Sequence, residues 1–226
     1  MTPDLHLTDL SVTSAEGRTL LDIPALHIPG GQTVALRGPS GAGKSTLLHV
    51  LSGLVRPAAG QVRWASQDIA ALPEDARARF RRDTLGLIFQ DCHLFEELSA
   101  LGNAALAAAF SPKDARARVH DTAAHWLTRL GLPDTTTRTV DSYSGGERQR
   151  IAVARALAAD PPVILADEPT AALDRTNADR LGRDLVALAT DAGRTLITVT
   201  HDDTLAGQMQ RRITLTDGRI TDDTHV

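Results

Sequence analysis

Apolar and polar positions alternate at the start of the chain. Leu5, Leu7, Leu10 and Val12 are interleaved with His6, Thr8, Asp9 and Ser11. That near period of two predicts a half-buried strand over 5–12. A second strand is expected over 19–28, broken near Pro24, whose ring removes a ladder donor. Pro29-Gly30-Gly31 reads as a turn. Short, mostly apolar runs follow at 33–36 and 163–166, and a run of Leu, Ile and Val interleaved with threonine at 195–200, the pattern of buried strands. Residues 61–65 return as a strand after a turn at 56–60, and 84–90 are strand-like and end on Gln90. Helical spacing marks 47–51, ending near Gly53, and 73–83, with Pro73 in the first turn. The same spacing marks 147–159 and 175–190. Ser111-Pro112 supplies an N-cap and first-turn proline for a helix running to Leu130. Residues 212–221 form a hairpin turning at Asp217-Gly218.

From Asp91 to about Asp160 the chain is rich in Ala, Leu and Arg. We read residues 91–160 as a mostly helical subdomain inserted into an α/β core made of 1–90 and 161–226, all within one domain. No long internal repeat or disordered linker interrupts it.

Composition narrows the possibilities. The chain has 226 residues, 42% of them hydrophobic and 23% charged, the make-up of a globular domain. Its net charge of −4 argues against a nucleic-acid partner, which calls for a basic face. Cys92 is the only cysteine, so an internal disulfide and a cysteine metal cluster are excluded, and a reducing cytoplasmic setting fits. Cys92 itself reads as a bystander. The start, Met1-Thr2-Pro3-Asp4-Leu5-His6, lacks the basic and apolar regions of a signal peptide. No apolar run approaches the ~18 residues of a spanning helix, so no direct membrane insertion is expected. Lys44 and Lys113 are the only lysines among many arginines, which we read as genomic bias.

Lys44 lies in the most informative stretch, Gly38-Pro39-Ser40-Gly41-Ala42-Gly43-Lys44-Ser45-Thr46. It fits G-x-x-x-x-G-K-[ST], the phosphate-binding P-loop pattern. An apolar strand precedes it and a helix follows it, the context the pattern needs. The glycines let successive N–H groups point at phosphate oxygens, and the helix N-terminus adds partial positive charge. Lys44 reaches the β- and γ-phosphates of a nucleoside triphosphate in this reading, and the Ser45 hydroxyl binds Mg²⁺. The strand Val163-Ile164-Leu165-Ala166 ends on Asp167-Glu168. Asp167 suits a second Mg²⁺ contact, and Glu168 suits the base that polarises the attacking water. The bland alternative for these acids is a helix start at Asp167-Glu168-Pro169. Ser144-Gly145-Gly146-Glu147 is a second glycine loop opening a helix, with Ser144 as its cap. Alone, that loop is no more than a helix start.

These stretches occur in one order along almost the whole chain: the P-loop, Gln90, Tyr143-Ser144-Gly145-Gly146-Glu147, Leu165-Ala166-Asp167-Glu168-Pro169-Thr170, Ala172-Leu173-Asp174 and Thr200-His201-Asp202. That order resembles the ATP-binding cassette (ABC) ATPases. The resemblance implies a P-loop NTPase core with an antiparallel β subdomain and an inserted helical subdomain. It implies ATP and Mg²⁺ as cofactors. Gln90 becomes the residue that touches Mg²⁺ and the water and reports to a membrane partner. Ser144, Gly145, Gly146 and Glu147 become a signature loop that binds the γ-phosphate of ATP held by another copy. Asp174 becomes the acid at the dimer seam, and His201 the histidine at the γ-phosphate. The implied partners are a second copy of this chain and a separate transmembrane permease, with the chain cytoplasmic and peripheral on the inner face of the membrane.

Within the family, Gly86-Leu87-Ile88-Phe89-Gln90 and the Ser-Gly-Gly-Glu signature are most similar to the branch of lipoprotein-releasing, macrolide-exporter and cell-division cassettes. Two departures stand out. Tyr143 replaces the usual leucine, and the loop 11–19 has no aromatic for adenine to stack on. Val12, with a small apolar face, and Arg18, with a planar guanidinium, are the substitutes expected there. The stretch His93-Leu94-Phe95-Glu96-Glu97-Leu98 is expected to line a groove for a partner helix. Two other functions compete. A soluble ABC protein of DNA repair or translation carries a larger insertion than the short stretch between Gln90 and Ser144 allows. A non-hydrolysing scaffold conflicts with intact Lys44, Asp167, Glu168 and His201.

Overall fold

The computed structural model describes residues 2–132 and 138–225, so 133–137 of the expected helical stretch lie outside the described residues. The strands in chain order are β1 (Leu5–Thr13), β2 (Thr19–Ile28), β3 (Thr33–Arg37), β4 (Ala59–Trp64), β5 (Gln67–Asp68), β6 (Leu85–Ile88), β7 (Val163–Asp167), β8 (Thr195–Val199), β9 (Arg211–Thr216) and β10 (Arg219–His225). The helices are α1 (Lys44–Leu51), α2 (Glu74–Thr84), α3 (Ala100–Ala104), α4 (Arg116–Arg129), α5 (Gly145–Leu157), α6 (Arg175–Asp191) and α7 (Asp203–Gly207).

The strands form two sheets: an antiparallel one in the order β2-β1-β4-β5, and a larger one in the order β10-β9-β3-β8-β7-β6. In the larger sheet β9, β3, β8, β7 and β6 run parallel, and β10 closes one edge as an antiparallel hairpin. The hairpin turns on Asp217 and Gly218, both at positive φ, as a tight two-residue turn requires.

Each central strand feeds two cores by its period of two. Val34 and Leu36 of β3, Val163 and Leu165 of β7, and Ile197 and Val199 of β8 face a core shared with the antiparallel sheet and α1. Ala35, Ile164, Ala166 and Leu196 face the opposite core, built with the helices. This is why those strands read as mostly apolar runs. The helical side packs on small residues, with Ala100, Ala104, Ala123, Ala152 and Ala154 fully buried. Trp64 ties the antiparallel sheet to α1 by donating its indole N–H to the Leu51 carbonyl at 2.9 Å.

Two elements depart from expectation. Strand β2 runs through Pro24 without a break. Pro24 lies on the edge strand, opposite Asp9, where β1 adopts a positive φ and the register skips a pair. Its missing N–H therefore leaves no ladder bond unmade. Helix α4 starts at Arg116 rather than at Ser111-Pro112. Ser111 instead donates its hydroxyl to Ala107 and closes a short 3₁₀ turn, and Pro112 begins a separate turn closed by the Ala115 N–H. Tyr143 is buried among the helices, with Arg138 over its ring at 4.2 Å.

Candidate active site

The C-terminal ends of the parallel strands open into a cleft of about 1140 Å³. It is lined by Ser40 to Thr46, by Gln90, Asp167, Glu168 and His201, and by Arg18 and Leu20 from the antiparallel sheet side. Ligands of open α/β sheets bind at this end of the strands.

The loop between β3 and α1 holds its shape through glycine. Gly38 has φ 139°, and a Cβ there would lie 2.0 Å from the Leu215 carbonyl oxygen. Gly43 has φ 97°, and a Cβ there would lie 2.7 Å from the Leu21 side chain. Gly43 caps α1 with no side-chain hydrogen bond, so the first N–H groups of the helix face the cleft unoccupied by any cap. Lys44, 7% exposed, folds back and donates to the Gly38 and Pro39 carbonyls at 2.8 and 2.9 Å. Those bonds hold the cation within the loop at the cleft wall.

Across the cleft β7 ends on Asp167, which is buried, with Oδ1 lacking any hydrogen-bond partner among the described residues. A buried, unpaired carboxylate oxygen costs several kcal/mol unless a cation meets it, so Asp167 at the cleft wall fits a hard divalent ion. The chain then turns sharply at Glu168, which adopts φ 47°. That left-handed backbone is strained for a side chain with a Cβ. Its N–H is held by the Val199 carbonyl at 3.0 Å. The turn aims the carboxylate at the end of β8. There Oε2 accepts the His201 backbone N–H at 3.3 Å, and Oε1 lies 3.4 Å from the His201 Nε2. Burial pushes the Glu168 carboxyl pKa up, while the His201 N–H and ring pull against it. The result is a carboxylate with raised basicity, suited to accept a proton from water.

The structure separates the second glycine loop from this cleft. Ser144 caps α5, accepting the Glu147 N–H at 3.3 Å, while Glu147 Oε2 accepts the Ser144 N–H at 2.8 Å. A Cβ on Gly146 would come 2.8 Å from Leu173, whose side chain lines the cleft, so the loop abuts the wall without entering. Asp174 does not line the cleft either. It caps α6, accepting the Asn177 side-chain amide N–H and, at 3.1 Å, the Asn177 backbone N–H, which together lower its pKa.

Val12 is a correction. It is 3% exposed in the core beneath the antiparallel sheet and offers no face to a base. Arg18 and Leu20 occupy the cleft margin instead. Gln90 is exposed at the cleft, and Phe95, five residues on, is 52% exposed. Asn103 fixes the backbone around Phe95, donating to its carbonyl at 2.9 Å and accepting its N–H at 2.8 Å. Cys92 is half-buried, with its thiol on the Gln149 carbonyl oxygen at 3.0 Å and its pKa raised by burial, consistent with a bystander.

The sequence profile of the ABC transporter family matches residues 21–171. The chain belongs to that family. The cassette is 39% identical over 225 residues to the lipoprotein-releasing system ATP-binding protein LolD of Geobacter metallireducens (strain ATCC 53774 / DSM 7210 / GS-15), covering 97% of this chain and 98% of that relative. It is 45% identical over 215 residues to the macrolide export ATP-binding/permease protein MacB 1/2 of Paracoccus denitrificans (strain Pd 1222). That match covers 93% of this chain but only 31% of the relative, so the cassette spans about a third of the length of the MacB protein. Among solved structures it superposes on the ATP-binding cassette MJ0796, in a dimeric post-hydrolysis state bound to ADP and Pi. The TM-score is 0.89 and the identity 33%, covering 98% of both chains. The fold is that of an ABC ATPase cassette.

Proposed function

We propose that this chain is the ATP-hydrolysing subunit of a membrane transporter, acting as a homodimer beneath a separate transmembrane permease. The observation that carries the reading is one cleft in which an uncapped helix N-terminus and Lys44 face Asp167, Glu168 and His201. The Gly38–Thr46 loop binds the phosphates, and Lys44 exchanges its two carbonyl partners for phosphate oxygens. Ser45, Asp167 and Gln90 would hold Mg²⁺, which when bound would supply positive charge to offset that of the phosphates. Glu168 takes a proton from water as the water oxygen bonds to the γ-phosphorus. The bond to the bridging oxygen breaks, leaving ADP and inorganic phosphate. His201 positions Glu168 and contacts the γ-phosphate.

Ser144, Gly145, Gly146, Glu147 and Asp174 act across the seam, completing the second copy's site. The dimeric MJ0796 structures support two copies. Residues 91–160 form the helical arm within one domain, with 1–90 and 161–226 as the catalytic core. The name of the LolD relative, the ATP-binding protein of a lipoprotein-releasing system, supports an ATP-binding subunit of a larger machine, and in this reading the chain sits on the inner face of the membrane. Among the described residues no helix is long and apolar enough to cross a membrane. The partly exposed Phe95 patch beside Gln90 is the docking surface for the permease.

MgATP hydrolysis measured against protein concentration tests the reading. The rate is expected to rise faster than linearly, with a dimer seen by light scattering in ATP. A strictly linear rate from a monomer overturns the shared site.

A further inference from the structure

On the outer face of the antiparallel sheet, away from the cleft, three metal-ligating side chains meet. Leu5, Leu7, Leu26 and Ile28 point into the core, so the alternation sends His6 and His27 outward. Register pairs His6 with His27 directly across β1 and β2. Their rings stack, with centroids 4.2 Å apart and planes within 12°. Asp4, two residues before His6 and on the same face, places Oδ2 3.6 Å from His27 Nε2. One ligand atom from each of the three residues lies within 4.8 Å of the other two.

We propose that Asp4, His6 and His27 form a binding site for a divalent transition-metal ion of the zinc or copper type. Two imidazoles and one carboxylate select borderline metals over Mg²⁺ and Ca²⁺, which prefer oxygen. A tetrahedral zinc with bonds of ~2.0–2.2 Å holds its ligand atoms roughly 3.4 Å apart. Asp4 and His27 already stand at 3.6 Å, and the whole set lies within 4.8 Å.

The set is already oriented. The Asp4 Oδ1 accepts the Gly30 N–H at 2.8 Å, leaving Oδ2 turned to the histidine. That hydrogen bond also holds the Asp4 pKa below its ordinary value. Such outer contacts fix metal ligands in place. The histidines stand on paired strands, so the register fixes their spacing. His225, at the end of β10, lines the same shallow cavity of about 550 Å³ as His6 and His27. Arg211, the cation in that cavity, is held by Asp223 in a bidentate pair at 2.7 Å. Arg63, opposite His6 across β1 and β4, is the cation that opposes binding.

The proposal does not rest on the ATPase reading. The nucleotide-free chain, stripped with chelator, is titrated with Zn²⁺ by calorimetry and with Cu²⁺ by electron paramagnetic resonance. One ion per chain, a rise in melting temperature with Zn²⁺ and a copper spectrum split by two nitrogens are expected. His27→Gln and His6→Gln, both at exposed positions, are each expected to weaken binding at least tenfold without changing the melting temperature in chelator. Asp4→Asn is expected to weaken it less. Absence of binding at 100-fold excess Zn²⁺ overturns the proposal. So does an affinity unchanged in the His6→Gln/His27→Gln double variant, which assigns the ion to the carboxylates of the cleft.

Discussion

At the start of α1 the cap is Gly43 and no side chain reaches the first N–H groups, whereas at the start of α5 Ser144 and Glu147 close a reciprocal cap. Both helices are opened by glycine loops, and both N-termini carry the partial charge that attracts anions. The difference lies in what already satisfies the donors. At α1 nothing does, and Lys44 waits on two backbone carbonyls. At α5 the chain supplies its own carboxylate, and the hydrogen bond from Ser144 holds the Glu147 pKa down. In the proposed function the first loop binds phosphate within a single chain, and the second does so only when a phosphate on the neighbour's nucleotide competes with Glu147.

The sharpest way to isolate the α1 side is Glu168→Gln. The amide keeps the shape and the His201 N–H contact but is a poor proton acceptor. General-base removal costs roughly 10²–10⁴-fold, so kcat is expected to fall by that factor while ATP binding survives. Single-turnover kinetics and a filter-binding assay separate the two. In the parent, burial raises the Glu168 pKa, so protonation removes the base earlier on acidification than it would for an ordinary glutamate. The acid limb of kcat/KM, which reports the free enzyme, is therefore expected above the usual glutamate range. Parent-like turnover in the variant removes Glu168 from the mechanism.

Lys44→Ala tests whether the waiting cation matters for binding. Hydrogen bonds to charged groups contribute ~1.5–3 kcal/mol. ATP affinity is expected to fall roughly tenfold to a hundredfold, read by calorimetry in Mg²⁺. An unchanged affinity means that the open N–H groups of α1 carry the phosphates alone.

How far the two loops could be read in advance follows from their physics. The α1 loop was legible because strand, glycines and lysine are contiguous, and the parallel strands because burial on two faces leaves mostly apolar runs. Convergence was not legible from spacing: Asp167 and Glu168 lie far along the chain from Lys44, and the ordered motifs of the family supplied the connection. Local rules failed where tertiary context overrode them. Pro24 sits on an edge strand that needs no donor there, and Ser111 finds Ala107 instead of a following helix. Val12 alternates correctly, yet the face it occupies is the buried one. The Ser144 cap was legible, but the return contact of Glu147 to the Ser144 N–H was not singled out, because Ser-x-x-Glu reads equally well as a cap and as an anion loop.

Glu147→Gln addresses that ambiguity directly. The amide can still accept the Ser144 N–H, but the negative charge next to an incoming phosphate is gone. A charge at a helix terminus is worth ~0.3–1 kcal/mol, about two- to fivefold in a dissociation constant. In the Glu168→Gln background, where ATP stays intact, the ATP-bound dimer is expected to tighten by that factor in analytical ultracentrifugation. A weaker dimer means instead that the carboxylate shapes the seam.

The smallest effect concerns the base. The loop 11–19 has no aromatic, Val12 is buried, and the cleft margin offers only Leu20 and the guanidinium of Arg18. Stacking of a base on an aromatic is worth ~1–3 kcal/mol in single-strand sites, and a guanidinium plane covers a ring without reading its edge. Phosphate contacts from the α1 loop are the same for any nucleoside triphosphate. Discrimination between bases is therefore expected to be shallow, with GTP hydrolysed within about tenfold of ATP, equivalent to ~1.4 kcal/mol. Arg18→Ala is expected to raise the KM for both nucleotides by a similar, few-fold factor and leave kcat unchanged, because the side chain covers the base and stands apart from the reacting phosphate. Steady-state kinetics with both nucleotides measures this. A preference for ATP above a hundredfold in the parent means that some group reads the adenine edge. Loss of that preference in Arg18→Ala names the arginine as the reader, and its persistence moves the search to the second copy across the seam.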